Sequence, residues 1–571
     1  MPIESLISEP TRTADAVLRV LEEAGIDMVF GIAGGHTGRL FTALAGRQNT
    51  IRTFTVREES LGGVMAEVYG RLTGRPGVLI GQGPWVLGNG LIGTMEALLS
   101  SSPMLLLTDF SDNPGFNLHG PYQAGTGDYG VWNARQSFGG VTKQVFEAND
   151  PVTAVQATQL AVKHALTGQP GPVAVLYGAR GLAGSVAPDS NPHLYTTRRY
   201  LPVPPAPAAE SAVAEAAAAL AAAEKPVLIA GNGVRIGQAY DALARFAERV
   251  GLPVVTTASG KGTFPETHPL ALGVFGTFGI PAANAAVADA DLVLVAGSKL
   301  GVSDTARANP ALLDPARQTF VQIDVEPRNA SWTFPAEHTL IGDVGTVLDQ
   351  LGAACGGHDR RGEAGARVTR LCTEHGYFDA PEYQAGGSPI LPQRIIGALR
   401  RRLPDDAIVA CDAGENRILM THFYQVRRAG GFLQAAGAGP MGFAIPAALA
   451  AKLVHPERTA VAVCGDGGFA MTMNGLMTAL EHRIPIVTVV FNNAALGWVY
   501  HGGGPFAATF NDFDHAAIAR SMGCHGVRVS DPDELEPAIA EAVAADRPAV
   551  IDVATSLDVT FRDVTSPLVN Y

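Results

Sequence analysis

Short runs of Val, Ile and Leu that end in Gly or Asp alternate along the chain with Ala- and Leu-rich stretches of helical length. A continuous apolar run indicates a strand that is buried on both faces, and the stretches between such runs supply the helical crossovers that parallel strands require. The pattern therefore predicts an α/β protein with doubly wound parallel sheets. Because 571 residues are too many for one hydrophobic core, we expect about three domains.

Two segments interrupt this alternation. The proline-rich segment 200–210 cannot form a central strand or a helix interior, so it is predicted to be a linker. The segment 356–367 is polar, rich in Gly and without any strand pattern. These two breaks divide the chain into three parts of ordinary domain size.

The composition excludes several classes of function. A formal net charge of -13 argues against a general nucleic-acid or anionic-membrane binder, which needs a positive surface. The N-terminus lacks a signal-peptide pattern, and no uninterrupted apolar run reaches the roughly 20 residues that span a bilayer. The five cysteines form no CxxC pair. We therefore predict a cytoplasmic protein that acts on small molecules, with no nucleic-acid or membrane partner.

One strand, helix and strand unit places two polar side chains at strand ends. A buried strand over 460–464 leads to Asp466, a helix is predicted over 469–482, and a second strand over 486–491 leads to Asn493. In a right-handed crossover both strands point the same way, so both side chains are expected at the carboxyl edge, roughly 5 to 10 Å apart. This is the edge at which α/β sheets bind ligands.

These residue types suit a magnesium ion and a diphosphate. A carboxylate and an amide oxygen are hard ligands for Mg²⁺, which shares its coordination sphere with phosphate oxygens and water. Gly467 and Gly468 allow the backbone to approach phosphates at the start of a helix. Taken alone, Asp466 would be interpreted as a helix cap and Asn493 as a turn residue. Their spacing and the order of the elements favour the metal site.

A GDG sequence after one strand and an NN sequence after the next resemble the thiamine-diphosphate enzyme superfamily, specifically its acetolactate-synthase-like branch. The likeness covers nearly the whole chain. It implies three doubly wound parallel-sheet domains: a pyrimidine-binding domain over 1–195, a central domain over 196–355, a linker over 356–388 and a diphosphate-binding domain over 389–571.

The same resemblance implies thiamine diphosphate and Mg²⁺ as cofactors. Asp466, Asn493 and the carbonyl oxygen of Ala495 would hold the metal, and Met441 would be the bulky wedge beneath the folded cofactor. The remaining cofactor contacts that the resemblance implies are Gly35, Pro84, Gly414, Glu415, Asn416, Gly439, Gly467, Gly468, Leu496 and Gly497. Many relatives have a neutral pair in place of Glu415 and Asn416.

A further carboxylate is needed to hydrogen-bond the aminopyrimidine ring of the cofactor, which then acts as its own base. Glu59 follows a predicted strand over 51–56 and precedes an Ala/Gly-rich helix. Glu58 is the alternative, although a carboxylate at this position can also be a solvated charge at a helix N-terminus. The family resemblance favours Glu59 as the catalytic residue.

Two pocket residues resemble those of benzaldehyde lyase and related acyloin carboligases. His36 follows a Gly-Gly turn in FGIAGGHTGRLF, and Gln123 lies in PYQAGTGDYG. The resemblance implies that both side chains move protons in catalysis, which suits an imidazole. The alternative is that His36 is a turn or helix-capping residue. We expect three aromatic residues to shape the substrate pocket, namely Trp85, Trp498 and Tyr500.

The central domain departs from the family pattern. Its turns ASGKG and GNGVRIG are family-like but occur in members with and without flavin, so FAD is left open as a second cofactor. Acetolactate synthases carry an Asp-Asp-Arg sequence that receives the second keto acid. Here Gly301, Val302 and Ser303 occupy those positions. The carboxylate of an acceptor would therefore lack its usual partner.

We predict a thiamine-diphosphate-dependent carbon-carbon lyase or carboligase that forms or cleaves acyloins, acting on 2-hydroxyketones, aldehydes or 2-keto acids. The first alternative is an acetolactate synthase or a 2-keto acid decarboxylase. The second is a catalytically silent cofactor-binding subunit. The resemblance further implies a homodimer at least, with a homotetramer as the expected assembly and active sites between subunits.

Overall fold

Three six-stranded sheets organise the protein, and every strand pairing within them is parallel. The structure is a computed structural model that describes residues 4–112, 122–201, 206–356 and 360–569. It has two compact units, Met1–Val203 and Pro204–Tyr571. The first unit contains one of these sheets and the second contains two. The predicted α/β fold class is confirmed.

The first unit contains a six-stranded sheet of order β3-β2-β4-β5-β7-β6, together with a small antiparallel pair, β1 and β8. Its strands are β1 Thr11–Arg12, β2 Met28–Gly31, β3 Arg52–Thr55, β4 Gly77–Ile80, β5 Met104–Asp109, β6 Gln144–Ala148, β7 Pro172–Tyr177 and β8 Ser185–Val186. Its helices are α1 Thr13–Glu23, α2 Gly38–Leu44, α3 Glu59–Thr73, α4 Gly83–Gly88, α5 Leu91–Ser100, α6 Ala134–Gly139 and α7 Pro151–Leu166.

The second unit begins with a central sheet of order β11-β10-β9-β12-β13-β14. Its strands are β9 Val227–Ala230, β10 Val254–Thr256, β11 Ala271–Val274, β12 Leu292–Ala296, β13 Thr319–Asp324 and β14 His338–Ile341. The helices are α8 Glu210–Ala222, α9 Asn232–Ile236, α10 Tyr240–Val250, α11 Pro281–Ala288, α12 Val344–Ala354 and α13 Arg361–His375. Helix α13 lies within 356–388, so this expected linker contains a 15-residue helix.

The third sheet has the order β16-β15-β17-β18-β20-β19. Its strands are β15 Ile408–Cys411, β16 Phe432–Gln434, β17 Ala460–Gly465, β18 Val487–Asn492, β19 His525–Val529 and β20 Ala549–Ala554. The helices are α14 Pro392–Arg402, α15 Glu415–Phe423, α16 Ala444–Val454, α17 Asp466–Thr472, α18 Gly475–Glu481, α19 Gly497–Gly503, α20 His515–Met522 and α21 Leu535–Ala544. In the part of the chain that the structure describes, short 3-10 helices cover Gly35–Thr37, Thr197–Arg199, Pro381–Gln384, Pro532–Glu534 and Phe561–Val564.

The single helix predicted over 469–482 is instead two helices, α17 and α18, and the first begins three residues earlier at Asp466. The break falls at Met473 and Asn474, directly before Gly475. Asn and Gly have low helix propensity, and tertiary packing decides where such a weak helix stops.

The glycines of GNGVRIG have a packing role in the central sheet. Gly233 N-H donates to the carbonyl oxygen of Gly297 at 2.9 Å. A Cβ on Gly233 would lie 2.6 Å from the Gly297 Cα, and one on Gly231 would overlap the carbonyl oxygen of Gly297. The loops after β9 and β12 therefore touch each other. This contact accounts for the two glycines without a bound nucleotide.

Two glycines also set the distance between α3 and α5 in the first unit. A Cβ on Gly93 would overlap the carbonyl carbon and oxygen of Gly63, because the helix backbones meet there. Helix α3 is buried along almost its whole length. The close approach places the start of α5 beside the start of α3, where Glu59 lies.

Among the described residues, no helix is both long enough and apolar enough to cross a bilayer.

We expect Gly93→Ala to lower the thermal unfolding midpoint of the first unit, because the added methyl group forces the two helices apart. Overpacking of this kind costs about 1–3 kcal/mol. Differential scanning fluorimetry of the full chain measures the shift. Gly88→Ala is the matched control, since a Cβ there meets nothing within 4 Å. Equal midpoints for the two variants would contradict the packing argument.

Candidate active site

A cavity of about 250 Å³ opens at the carboxyl edge of the third sheet. Strands β15 and β17 lie side by side, but the chain goes from β15 to β16 on one side before it returns to β17 on the other. The loops that follow β15 and β17 consequently diverge and leave a crevice, which is where α/β sheets bind ligands. The wall comes largely from the loops that follow β15, β17 and β18.

Asp466 and Asn493 converge on one backbone group in this wall. Strands β17 and β18 are neighbours, with Gly465 opposite Phe491. The N-H of Ala495 lies 3.2 Å from Asp466 Oδ2 and 3.1 Å from Asn493 Oδ1, and both oxygens accept from it. The structure therefore brings together the three residues that the sequence predicts as metal ligands.

The Asp466 carboxylate is buried, with 4% of the residue exposed. Burial raises its pKa to about 6, against the opposing effect of hydrogen bonds from the N-H groups of Gly467 and Ala495. No ion pair between Asp466 and a Lys, Arg or His side chain occurs among the described residues. A buried carboxylate without a counter-charge is a group that a divalent cation can satisfy.

Most of the other predicted residues of the third sheet line the same cavity. Those that follow β15 are Gly414, Glu415 and Asn416. Those near β17 and β18 are Met441, Gly467, Gly468, Leu496, Gly497 and Trp498. Gly439 and Tyr500 are not among the residues that line it, and their roles remain predictions.

Asp412 positions Met441 from behind the cavity. Its buried carboxylate accepts the N-H groups of Gly442, Phe443 and Ala444 at 3.0, 2.6 and 3.3 Å. Burial raises the Asp412 pKa to about 6, and these three hydrogen bonds oppose the rise. The turn that they hold places the Met441 methyl group 2.9 Å from where a Cβ on Gly467 would lie.

Glu59 begins α3 in the first unit and is buried, with 7% exposure. Asn89, just before α5, donates its Nδ2-H to Glu59 Oε2 at 3.1 Å. The rival carboxylate, Glu58, is the extended N-cap residue and is only half-buried. Glu59 therefore has the burial expected of the cofactor-activating residue, and its role remains a prediction.

Gln82, which sequence reasoning missed, joins Gln123 to the Gly34-Gly35 turn that precedes His36. Gln82 lies against the Gly34-Gly35 turn and donates its Nε2-H to Gln123 Oε1 at 2.9 Å. Gln82 follows β4, at the switch point of the first sheet, and this position is the signal that could have identified it.

The turn that carries His36 is fixed by a second missed residue, Asp109. The buried Asp109 carboxylate accepts the backbone N-H of His36 at 2.5 Å, and a Cβ on Gly35 would overlap it. Burial raises the Asp109 pKa, whereas N-H groups of His36 and Gly83 oppose the rise. Arg39 Nη1 lies 3.2 Å from His36 Nδ1. Since a guanidinium only donates, Nδ1 accepts, and the ring proton is left on Nε2.

Two further predicted residues lie in α4 of the first unit. Pro84 occupies the first turn of α4, where a missing N-H costs nothing. Trp85 follows and is 47% exposed. Its predicted role in the substrate pocket remains a prediction.

Comparison with known proteins gives matches along most of the chain. Three family models match in order: the N-terminal TPP binding domain of thiamine pyrophosphate enzymes over 11–124, the central domain over 213–351 and the C-terminal TPP binding domain over 412–553. The Corynebacterium glutamicum acetolactate synthase large subunit is 30% identical over 95% of this chain and 87% of its own. The Escherichia coli acetolactate synthase isozyme 3 large subunit is 30% identical over 93% of this chain and 92% of its own length. The probable acetolactate synthase large subunit of Methanocaldococcus jannaschii is 29% identical over 95% of this chain and 91% of its own length.

The chain belongs to the thiamine pyrophosphate enzyme family.

Its place is in the acetolactate-synthase-like branch of that family. The predictions of thiamine diphosphate as cofactor and of a thiamine-diphosphate-dependent carboligase are confirmed at the level of class. The likeness of the pocket to that of benzaldehyde lyase remains a prediction.

The cavity residues fit the cofactor of a thiamine pyrophosphate enzyme. The uncompensated carboxylate of Asp466 suits Mg²⁺. Asn416 Oδ1 is buried in the wall and has no hydrogen-bond partner among the described residues, and such a group calls for a ligand or an ordered water molecule. No Cβ fits at Gly468, where it would overlap Asp412 Oδ2. Gly468 is therefore required by its close packing against Asp412, behind the cavity.

We expect Asp466→Asn to abolish Mg²⁺-dependent binding of thiamine diphosphate, because the amide keeps the shape of the side chain but supplies no negative charge. Isothermal titration of the apoprotein with thiamine diphosphate, with and without Mg²⁺, measures the effect. Asp533→Asn is the control, since that side chain is 91% exposed in the same unit. Wild-type affinity in Asp466→Asn would remove the residue from the metal site.

Proposed function

We propose that this enzyme makes or breaks a carbon-carbon bond next to the carbonyl group of a 2-keto acid, an aldehyde or a 2-hydroxyketone. The convergence of Asp466, Asn493 and Ala495 at the cavity of the third sheet carries the proposal. Retention of this set together with a buried Glu59 argues against a catalytically silent subunit. The proposal includes a homo-oligomer of at least two copies.

Thiamine diphosphate, when bound, supplies a thiazolium carbon that adds to carbonyl groups. Asp466, Asn493 and the Ala495 carbonyl would hold Mg²⁺ and through it the diphosphate. Met441, fixed by Asp412, would support the cofactor from below. Glu59 would hydrogen-bond the aminopyrimidine ring, and Asn89 orients its carboxylate.

Proton movement is assigned to His36 and Gln123. With its proton on Nε2, the His36 ring can donate to a substrate oxygen. The hydrogen bond from Gln82 fixes the Gln123 side chain, so that its amide Nε2 is available to a substrate. Asp109 anchors the His36 backbone, so the ring is presented from a rigid turn.

The loop at Gly301, Val302 and Ser303 is relevant to which acceptor substrate the enzyme uses. The backbone carbonyl oxygen of Ser303 accepts the N-H of Thr277 at 3.1 Å. Phe278, which follows Thr277, packs edge-on against Trp498, with 6.0 Å between the ring centroids. The loop thus backs the aromatic wall of the cavity, and Gly301, Val302 and Ser303 themselves carry no cationic side chain. This favours an aldehyde or acyloin over a second keto acid as acceptor.

A substrate panel tests the proposed function. The protein is incubated with thiamine diphosphate and Mg²⁺, and with pyruvate alone, benzaldehyde, acetoin or benzoin, and the products are identified by NMR. We expect cofactor-dependent formation or cleavage of an acyloin. Acetolactate from pyruvate alone would establish the synthase alternative, and acetaldehyde with carbon dioxide the decarboxylase. No turnover, together with no deuterium exchange at the thiazolium C2, would overturn the proposal.

Glu59→Gln should slow deuterium exchange at the bound thiazolium C2 by on the order of a hundredfold or more, because an amide cannot share a proton with the aminopyrimidine ring. Quenched-flow exchange followed by NMR measures the rate. Glu58→Gln is the matched control and is expected to exchange at the wild-type rate. A slow Glu58→Gln beside a normal Glu59→Gln would transfer the role to Glu58.

A further inference from the structure

Glu415 poses an electrostatic problem in the cavity. It is the first residue of α15, it is 7% exposed, and it lines the wall that the proposed function assigns to a diphosphate. Like charges repel strongly where water is excluded. An uncompensated carboxylate at this position would therefore weaken binding of an anionic ligand.

The side chain of His501, on α19, lies against this carboxylate. His501 Nδ1 is 2.8 and 2.9 Å from the two oxygens of Glu415, and its Nε2 is 3.0 Å from the carbonyl oxygen of Leu557. A carbonyl oxygen only accepts, and so does an ionised carboxylate. Nε2 therefore donates to Leu557, and one proton must lie between Nδ1 and the Glu415 carboxylate, on whichever of the two it is bound. The pair carries no net charge.

The same contacts hold three chain segments together. Glu415 Oε1 also accepts the N-H of Phe561 at 3.0 Å. The Trp498 ring stacks on Phe561 with 4.0 Å between centroids. A Cβ on Gly497 would lie only 2.5 Å from Glu415 Oε2. The pair therefore fastens α19, and with it Gly497 and Trp498 of the cavity wall, to the start of α15.

We propose that His501 is a positioning residue that neutralises Glu415 and so allows the cavity to accept the diphosphate of its cofactor. Glu415 and His501 together form a charge-balanced clasp. The clasp rests on the proposed function in one respect, namely that the ligand in this cavity is a diphosphate. Neither residue needs to touch the reacting atoms.

The test separates charge from structure by measuring the dissociation constant of thiamine diphosphate at saturating Mg²⁺ in the full-length apoprotein. His501→Gln leaves Glu415 charged and should raise this constant by on the order of tenfold or more. Glu415→Gln with His501→Gln removes both charges and should restore it to within about threefold of the wild-type value. A purely structural clasp predicts that the double variant binds no better than His501→Gln.

His501→Arg is the conservative variant, since it keeps a cation beside Glu415 and is expected to bind with near-wild-type affinity. It also carries the test if His501→Gln does not fold, which thermal unfolding of each variant establishes. Weak binding by His501→Arg, unchanged binding by His501→Gln, or no rescue in the double variant would each overturn the clasp. A wild-type protein that binds no thiamine diphosphate would instead reject the proposed function.

Discussion

The parallel pairing of β17 with β18 is the constraint on which the candidate site depends. Because Gly465 lies opposite Phe491, the two strands end at the same level. The side chains of Asp466 and Asn493 then meet at the N-H of Ala495. A slip of one strand by one residue would turn its side chains to the opposite face of the sheet. The buried apolar residues of both strands thus specify a polar site indirectly, by fixing the register.

Three buried carboxylates lie at or behind this edge, and they differ in what lies beside them. Asp412 accepts three backbone N-H groups and becomes part of the scaffold. Glu415 is matched by His501. Asp466 likewise accepts backbone N-H groups and has a raised pKa, but its carboxylate lies in the cavity wall. Burial penalises an ionised carboxylate unless it is compensated. Of the three, Asp466 is the one that lines the cavity without a cationic side chain beside it among the described residues, which suits it to a metal ion.

Features of the fold that depend on residues close together in the sequence could be predicted from local sequence patterns. The strands before Asp466 and Asn493 follow from short apolar runs that end in polar residues, and their adjacency follows from the crossover rule. The clasp could not be predicted, because Glu415 and His501 are 86 residues apart and only tertiary packing brings them together. The link from Gln82 to Gln123 spans 41 residues in the same way. The break at Asn474 reflects competition between weak helix propensity and packing, which sequence alone does not resolve.

The first and third sheets share one strand order, whereas the central sheet has another. Both outer sheets therefore have a switch point next to their first strand, and both place polar residues there. At the corresponding point of the central sheet, Gly231 and Gly233 pack on Gly297 instead. Phe278, which follows Thr277 in a loop after this sheet's strand β11, packs against Trp498, so a loop of the central sheet backs the cavity wall. Gly301, Val302 and Ser303 bring no cationic side chain to this loop, so pairing a desolvated acceptor carboxylate there would need a cation from another segment.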